Sequence, residues 1–260
     1  MFGYTHAIVR QPSASVISGL RSGKGPDPVY AALLAEHEAY VAALRGLGLD
    51  VAVLSPADAF PDSVFVEDPA LVFSEGAIVL NVAATTRAGE AALISPELES
   101  RFERVLHMQG PGHADGGDIL VLPDRVLIGL SGRTDRQGAE ELIRLLAQLG
   151  KRGEVAETPK DVLHFKTGCS LIDEETVFAL PQMADLPAFA ELRVISVPKG
   201  EEKAANKLRI RDAALIGNNF PKSREIIEAH GIRTIALPVH QIGLIDAGLS
   251  CMSLRWHKVA

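Results

Sequence analysis

The chain has 260 residues, of which 47% are hydrophobic and 23% are charged; this is the composition of a globular protein with one or two domains and not of a disordered chain. Its formal charge is −7, from 26 basic and 33 acidic residues. Proteins that bind nucleic acid or anionic membranes usually have a basic surface, so this charge argues against both functions. No apolar run reaches the ~18 residues of a membrane helix, and the first ten residues lack a signal-peptide pattern. We therefore expect a cytoplasmic protein that binds neither nucleic acid nor membranes.

Cysteine usage limits the chemistry further. The two cysteines, Cys169 and Cys251, are too few for a disulfide scaffold, and neither has a partner at the spacing of a structural zinc cluster. Each thiol is therefore either a small core residue or a nucleophile.

Amphipathic helices are predicted at three places along the chain. The first begins with Asp27 as its N-cap and Pro28 in its first turn, and it ends at Gly46. The others cover residues 139–150 and 221–231, and weaker helical patterns cover residues 96–105 and 183–192.

Strand pairs with a turn between them are predicted before most of these helices. They cover residues 70–80, 118–128, 170–180 and 207–216. A last hairpin region, residues 249–256, is not followed by a helix. A strand at residues 7–9 would complete that final unit.

Short apolar segments that end in proline recur after the helices, as expected for strands that return to a sheet. Their prolines lie 39 to 55 residues apart and are Pro56, Pro111, Pro159, Pro198 and Pro238. The chain thus repeats a unit of hairpin, helix and returning strand. This spacing favours an α/β fold of five pseudo-symmetric repeats that closes into a ring, in a single domain over residues 1–260, over one open α/β sheet with irregular connections.

Polar side chains occupy the same phase of each repeat, shortly after the returning strand. From Asp68 the intervals to Asp118, His164, Asn206 and Cys251 are 50, 46, 42 and 45 residues. Glu67 and Asp115 lie beside the first two. Residues at one phase of a ring converge, so we expect these groups to form one site.

A thiol, an imidazole and a carboxylate are the parts of a nucleophilic mechanism, since a thiolate attacks, a histidine moves the proton and an acid orients the histidine. Further carboxylates in the same pocket require a cationic substrate. Taken singly, His164 is read as a hydrogen-bonded strand residue, Cys251 as core packing, and Asp115 with Asp118 as a turn.

Cys169 competes with Cys251 for the role of nucleophile. It follows His164 by five residues, which in an extended strand places the two side chains on opposite faces and about 16 Å apart. We therefore assign Cys251 as the nucleophile and Cys169 as a core thiol.

Five motifs together carry a resemblance to a known family. They are residues 60–69, Asp115-Gly-Gly-Asp118, residues 163–168, Ala204-Ala-Asn206 and residues 248–255. In this order they resemble dimethylarginine dimethylaminohydrolases of the guanidino-group-modifying (pentein) superfamily. The resemblance spans residues 1–256 and implies a five-bladed α/β propeller with its site on the central axis.

The resemblance also implies the reaction. The Cys251 thiolate would attack the guanidinium carbon of an N-omega-methylated arginine, and water would hydrolyse the covalent thiouronium to citrulline. His164 would protonate the departing methylamine or dimethylamine and then activate the water, with Asp115 orienting it. Asp68 matches the acid that holds the guanidinium, and Asp118 and Asn206 would support the site.

The remaining substrate contacts follow from the same resemblance. Arg87 and Arg133 resemble the pair that holds the α-carboxylate. Residues 19–25 resemble a mobile lid, for which a surface loop without function is the alternative. The other residues assigned to substrate binding are Leu20, Asp62, Phe65, Glu67 and Ile245.

One position separates the related activities. Arginine deiminases and amidinotransferases carry His-x-Asp where this chain has His164-Phe165-Lys166, and loss of that acid leaves room for alkyl groups on the guanidinium. The alternatives are a deiminase or amidinotransferase acting on another guanidino compound, and a non-catalytic binding protein of the same fold. We expect a small guanidino substrate, no metal and no organic cofactor; a homo-oligomer is left open.

Overall fold

The computed structural model describes residues 1–23 and 25–258. The chain divides into two compact units. We call Glu67–Val197, with Met1, the central unit, and Phe2–Val66 with Pro198–Ala260 the terminal unit. The expectation of a single domain over residues 1–260 stays a prediction.

The described residues form fifteen short strands in five three-stranded sheets. The strands are β1 (His6–Arg10), β2 (Asp50–Leu54), β3 (Ala70–Phe73), β4 (Gly76–Val79), β5 (Val105–His107), β6 (Ile119–Val121), β7 (Val126–Leu130), β8 (Gly153–Glu157), β9 (Cys169–Leu171), β10 (Thr176–Ala179), β11 (Arg193–Ser196), β12 (Leu208–Ile210), β13 (Ala213–Gly217), β14 (Arg233–Leu237) and β15 (Leu254–Trp256).

All five sheets share one topology. The first two strands form an antiparallel pair, and the third returns parallel to the second, which lies in the middle. The central unit holds β3-β4-β5, β6-β7-β8 and β9-β10-β11, and the terminal unit holds β15-β1-β2 and β12-β13-β14. The five predicted repeats are confirmed, and the alternative of one open sheet is wrong.

The first and last strands of the chain belong to the same sheet. β1 pairs antiparallel with β15, with His6 opposite Trp256 and Ile8 opposite Leu254. β1 also pairs parallel with β2 along its full length. The amino-terminal strand therefore completes the final repeat, as the sequence predicted.

The described helices are α1 (Tyr30–Gly46), α2 (Glu90–Arg101), α3 (Arg136–Gln148), α4 (Pro221–Ala229) and α5 (His240–Gly243). The predicted N-cap of α1 is wrong. The Asp27 carboxylate pairs with Arg21, and the helix begins three residues later at Tyr30. α3 and α4 lie where they were predicted, and Asp135 caps α3 by accepting a hydrogen bond from the Gly138 N–H at 2.7 Å.

The two weaker helical patterns were placed wrongly. α2 starts at Glu90 and contains Pro96 in its interior, so the proline does not mark the helix start. Residues 183–192 form no α-helix. Two short 3-10 turns that begin at Pro181 and Pro187 occupy this region, because each proline fixes the backbone at the start of a turn and donates no hydrogen bond.

Each unit has its own hydrophobic core. In the central unit, Leu142 and Leu146 of α3 lie in one cluster with Ile78 of β4 and Ile128 of β7, all of them fully buried. Burial of each such side chain contributes roughly 1.5–3 kcal/mol. A second cluster in the terminal unit gathers α1, β1, β12 and β13.

Among the described residues, no helix is both long enough and apolar enough to cross a bilayer.

His37 of α1 makes the fold sensitive to acid. The side chain is 2% exposed, and its Nε2 has no hydrogen-bond partner among the residues described. Burial lowers the pKa of His37 from 6.5 to about 4, although a hydrogen bond with the Arg10 backbone acts in the opposite direction and raises it. Below pH 6.5 the unfolded chain gains a proton that the folded chain takes up only near pH 4. Folding stability is therefore lost as the pH falls through this range.

We expect this histidine to cost about 3 kcal/mol of unfolding free energy between pH 7 and pH 4, at about 1.4 kcal/mol per unit of pKa. A His37→Gln variant should show a flatter pH dependence in urea unfolding than the wild type. His230→Gln, at an exposed position, is the control and should behave like the wild type. Equal pH dependence of wild type and His37→Gln would contradict the assignment.

Candidate functional site

Three of the predicted site residues meet in the central unit. Asp68, Asp115 and His164 each offer one side-chain atom, and these atoms lie within 4.8 Å of one another. Each residue shortly precedes the first strand of a sheet, so the repeat itself brings them together. Asp115 does precede a 3-10 turn, Gly116–Asp118, whereas the interpretation of His164 as a strand residue is wrong, because it precedes the 3-10 turn Phe165–Thr167. Both side chains enter one buried cluster.

His164 is held by a carboxylate. Its Nε2 lies 3.3 Å from Asp115 Oδ2, and both residues are buried. Burial alone would lower the pKa of His164, but the hydrogen bond with Asp115 and the charges of Asp68 and Asp118 outweigh burial and raise it. The imidazole is therefore suited to carry a proton near neutral pH.

Asp115 is fixed by its own neighbours. Its Oδ1 accepts a hydrogen bond from the Ala83 N–H at 3.1 Å, and its backbone N–H donates to Thr134 Oγ1 at 3.1 Å. The Arg133 Nη1 lies 3.8 Å from Asp115 Oδ2. The Asp115 carboxylate thus reaches His164 from a defined position.

Asp118 ties together the backbone around the cluster. Its Oδ2 accepts hydrogen bonds from Ser131 and Thr134, both at 2.7 Å, and its Oδ1 accepts one from the Phe165 N–H at 2.8 Å. Burial raises the pKa of Asp118 despite these donors and the nearby His164. The side chain therefore fixes the turn that follows His164.

The glycine pair between Asp115 and Asp118 allows a close approach. A Cβ on Gly117 would lie 2.7 Å from His164 Nδ1 and 3.0 Å from Asp68 Oδ1. Any larger residue would push the imidazole away from its partners. The Gly117 N–H also donates to Asp68 Oδ1 at 3.1 Å.

Asp68 is paired with an arginine of its own unit. Its Oδ2 contacts Arg87 Nη1, and Arg87 also binds Glu90 through Nε and Nη2. Burial would raise the pKa of Asp68, but the charges of Arg87, His164 and Lys166 lower it overall. Asp68 is therefore ionised near neutral pH. Arg87 was expected at the α-carboxylate of a substrate, and here it lies against Asp68.

Glu67 and Lys166 form a second buried ion pair, with Lys166 Nζ 2.7 Å from Glu67 Oε1. Lys166 also acts on Asp68 electrostatically. The residue that replaces the deiminase acid in the His-x-Asp pattern thus contributes a positive charge to the cluster. Arg133 is less buried than Arg87, with 22% of its side chain exposed.

The three clustered ligand atoms also have the spacing of a divalent-cation site. A metal ion would have to compete with Arg87 for Asp68 Oδ2 and with His164 for Asp115 Oδ2. The expectation that no metal is needed stays a prediction.

Cys251 lies in the terminal unit on the 3-10 turn Ser250–Met252, and its thiol forms no disulfide and is partly exposed. Asn206 Nδ2 lies 3.8 Å from Cys251 Sγ, and Asn206 Oδ1 accepts a hydrogen bond from the Ser250 N–H at 3.0 Å. Gly248 packs against Asn206 so closely that a Cβ there would overlap the amide. The structure therefore brings two of the predicted site residues, Asn206 and Cys251, together in the terminal unit.

The predicted lid is anchored at its described residues. The Leu20 N–H donates to Asp62 Oδ1 at 3.0 Å, and Ser22 donates from its N–H and hydroxyl to Asp246 Oδ2 at 2.5 and 2.8 Å. Leu20 is exposed, while Asp62 is buried. Lys24, within the predicted lid, lies outside the described residues.

Two further residues that were assigned to substrate binding, Phe65 and Ile245, are apolar and buried in the terminal unit. Phe65 is 5% exposed and Ile245 is 2% exposed, and both belong to the core cluster of the terminal unit. The structure therefore gives these two side chains a packing role, and their contact with substrate stays a prediction.

Cys169 is a core residue. It is fully buried at the start of β9, and its thiol donates to the Phe165 carbonyl at 3.3 Å. The expected separation of about 16 Å between His164 and Cys169 assumed an extended strand. That assumption is wrong, because a 3-10 turn at Phe165–Thr167 shortens the stretch. The interpretation of Cys169 as a buried thiol nevertheless agrees with its burial.

Sequence reasoning missed three residues of the central cluster. Ser131 and Thr134 hold Asp118, and Glu90 holds Arg87. A signal for Glu90 was present, since an acid three residues after an arginine at a helix start is a common ion-pair spacing. The hydroxyl pair carried no signal, because its partner lies at least 13 residues away in the chain.

Comparison with known proteins gives a consistent relationship. A sequence model of the arginine deiminase family matches residues 53–215, more than half of the chain. An N(G),N(G)-dimethylarginine dimethylaminohydrolase of Pseudomonas aeruginosa is 35% identical over 254 residues, which cover 97% of this chain and 100% of that protein.

Solved structures give the same result. A structure of dimethylarginine dimethylaminohydrolase from Pseudomonas aeruginosa, a cysteine-to-serine mutant complexed with citrulline, has a TM-score of 0.95 at 35% identity and covers 98% of this chain and 100% of its own. A histidine-to-glycine dimethylarginine dimethylaminohydrolase, as an adduct with S-methyl-L-thiocitrulline, has a TM-score of 0.94 at 35% identity and covers 97% and 99%. The match confirms the α/β fold class of five repeats.

The family match covers nearly the whole chain and agrees with the buried cluster of acids around His164. The chain therefore belongs to the dimethylarginine dimethylaminohydrolase family, within the guanidino-group-modifying (pentein) superfamily that also contains the arginine deiminases.

Proposed function

We propose that the protein hydrolyses N-omega-methylated arginine, asymmetric dimethylarginine or monomethylarginine, to citrulline and the corresponding methylamine. The observation that carries this proposal is the buried cluster of Asp68, Asp115 and His164, in a chain whose relative has been solved with citrulline. An ionised acid, a histidine held by an acid and a thiol that forms no disulfide together supply what the reaction needs.

Asp68 is proposed to hold the guanidinium of the substrate. Its carboxylate is buried and ionised, and a buried carboxylate binds a guanidinium through charge-assisted hydrogen bonds. Glu67 lies beside it and is already neutralised by Lys166. The pocket therefore offers one strong anion to the nitrogens that keep their hydrogens, and not a second one to the methylated edge.

The chemical steps use Cys251 and His164. The Cys251 thiolate attacks the guanidinium carbon and forms a C–S bond. As the bond from that carbon to the methylated nitrogen breaks, His164 gives its proton to the departing amine. His164 then takes a proton from water, whose oxygen bonds to the carbon. The C–S bond breaks and the remaining hydroxyl proton passes to the solvent, which leaves citrulline and the thiolate. The raised pKa of His164 suits it to the first of its two roles.

The residues proposed for the amino-acid end of the substrate are those that the family resemblance assigns. Arg133, which has the more exposed guanidinium, is proposed to bind the α-carboxylate together with Arg87. Asp62, whose Oδ1 already accepts the Leu20 N–H, is proposed to bind the α-amino group. Phe65 and Ile245 are proposed to line the wall behind the aliphatic chain.

Product analysis tests the proposal. The purified protein is incubated in parallel with asymmetric dimethylarginine, monomethylarginine and arginine, and citrulline and the released amine are measured together. We expect citrulline with dimethylamine from the first compound and little product from arginine. Citrulline with ammonia from arginine alone would move the assignment to a deiminase. A new guanidino compound would indicate an amidinotransferase, and no reaction at all would favour a binding protein.

Lys166 is expected to set the choice between methylated and unmethylated guanidinium. A Lys166→Asp substitution restores an acid at the position where deiminases carry one, and an acid pairs best with a nitrogen that still bears its hydrogens. Total activity should fall, because Glu67 loses its partner. The ratio of kcat/KM for arginine to that for dimethylarginine should rise about tenfold or more.

The control for this experiment is Lys166→Met, which removes the charge without adding an acid. It should lower activity toward both compounds and leave their ratio near the wild-type value. Equal ratios in the Asp and Met variants would contradict a role for Lys166 in the selection of substrate.

We also propose that the protein acts in the cytoplasm. Neither of its cysteines forms a disulfide, and a catalytic thiol needs a reducing compartment to stay reduced. A small-molecule guanidino substrate accounts for the site without a protein partner, nucleic acid or membrane.

A further inference from the structure

The motif that contains the nucleophile, residues 248–255, ends with two polar side chains to which the proposed reaction has given no role. They are Ser253, which is fully buried, and Arg255 of β15, which is partly exposed. Arg255 Nη1 donates to the Ser250 carbonyl at 3.0 Å, to Ser253 Oγ at 2.6 Å and to the Ser253 carbonyl. A single guanidinium nitrogen thus contacts the residues that precede and follow Cys251 on its short turn.

The hydrogen bond to the Ser250 carbonyl fixes the peptide group that leads into Cys251. That carbonyl and the Cys251 N–H belong to one planar unit, so a contact that holds the carbonyl also sets the direction of the N–H. The N–H of Ser250 is held as well, because it donates to Asn206 Oδ1 at 3.0 Å. The backbone directly before the nucleophile is therefore fixed by Asn206 on one side and by Arg255 on the other.

Ser253 connects the backbone after Cys251 to helix α1. Its Oγ lies 2.5 Å from the hydroxyl oxygen of Tyr40, where either hydroxyl can donate. Tyr40 is fully buried in α1. Buried hydroxyls need hydrogen-bond partners, and Tyr40, Ser253 and Arg255 supply them to one another. We call these three residues the brace, and it holds the segment that follows the nucleophile.

The position of the thiol matters because covalent attack depends steeply on geometry. The sulfur has to approach the guanidinium carbon to about 3–3.5 Å, and a displacement of about 1 Å can cost a hundredfold in rate. Cys251 lies on a 3-10 turn of only three residues, and the hydrogen-bond geometry of such turns is poor. Contacts from outside the turn are therefore needed to hold the thiol in place.

We propose that Arg255 is a positioning residue for the reaction, which holds the Ser250 carbonyl and Ser253 so that the Cys251 sulfur is placed for attack on the guanidinium carbon. The inference rests on the proposed hydrolysis of methylarginine and adds a residue to it. The alternative is that Arg255 only stabilises the junction between the turn and β15.

Separate measurements of attack and of binding test the proposal. The single-turnover release of methanethiol from S-methyl-L-thiocitrulline reports attack by the thiol, and we expect Arg255→Met to slow it by about ten- to a hundredfold. The affinity for citrulline, measured by calorimetry in a Cys251→Ser background, should be unchanged by the same substitution. Arg255→Lys should recover part of the rate, because one ammonium can replace the single nitrogen that makes the three hydrogen bonds.

The matched control is Arg211→Met in the same unit. Arg211 is exposed and donates to the backbone carbonyls of Tyr4 and Gly48, both at 3.3 Å, so its loss should leave the methanethiol rate unchanged. An Arg255→Met variant that lowers only the melting temperature, or only the affinity for citrulline, would overturn the inference. If Arg255→Met does not fold, wild-type rates in both Arg255→Lys and Tyr40→Phe would overturn it.

The wild-type protein distinguishes this inference from the function on which it rests. A wild type that releases no citrulline from any methylated arginine would overturn the proposed function and the role of Arg255 with it. An active wild type whose Arg255→Met variant keeps both kcat and the rate of methanethiol release would overturn the role of Arg255 alone.

Discussion

A Cys251→Ser variant is expected to fold normally and to lose turnover by at least about a thousandfold, because a serine hydroxyl is not ionised at neutral pH and attacks a guanidinium poorly. The thiol is partly exposed on a short turn, and its replacement leaves no buried cavity. Steady-state release of citrulline measures the loss, and circular dichroism with a melting curve verifies the fold.

Cys169→Ser is the matched control for the nucleophile. Its thiol is fully buried and bonded to the Phe165 carbonyl, so serine there should cost some stability and keep most of the activity. Full turnover by Cys251→Ser would contradict the assignment, and so would a loss of chemistry in Cys169→Ser at a temperature where the variant remains folded.

A His164→Gln variant is expected to lose turnover of dimethylarginine by roughly 10²- to 10⁴-fold, the usual cost of removing a general acid and base. Dimethylamine is a poor leaving group without a proton, so the first step suffers directly. His107→Gln, at a partly exposed position on β5, is the control and should keep wild-type rates.

The pH profile gives the same histidine a second signature. Because the pKa of His164 is raised above its ordinary value, the protonated form persists to higher pH, and activity should fall only as the pH rises through that raised pKa. Asp115→Asn removes the largest contribution that raises it and should move this basic limb to lower pH. A basic limb that stays in place in Asp115→Asn would show that another group controls it.

Much of the fold was predictable because short sequence patterns mark each element of the repeat. Turn residues mark the hairpins, and prolines follow the returning strands, so that each strand ends one to four residues before its proline, as β2 does before Pro56. The pairing of β1 with β15 could be inferred as well, since the last hairpin region lacked its partner. The repeat also explains the cluster. Asp68, Asp115 and His164 lie at the same position of three successive repeats, shortly before the first strand of each sheet.

What the sequence could not predict depends on contacts between distant residues. Asp27 looks like a helix N-cap, but its carboxylate pairs with Arg21. The resemblance assigns Arg87 to the substrate carboxylate, and that role stays a prediction, but its burial beside Asp68 and Glu90 could not be foreseen. Local propensity fixes neither outcome, because each depends on which charged group tertiary packing brings within reach.

The most direct test of the account is to trap the covalent intermediate. S-methyl-L-thiocitrulline, which forms an adduct in a related enzyme, releases methanethiol, a leaving group that needs no proton. A His164→Gly variant should therefore still form the thiouronium but hydrolyse it slowly. We expect intact-protein mass spectrometry to show the substrate mass less methanethiol, and peptide mapping to place it on Cys251. A protein that stays unmodified, or that carries the mass on Cys169, would contradict covalent catalysis by Cys251.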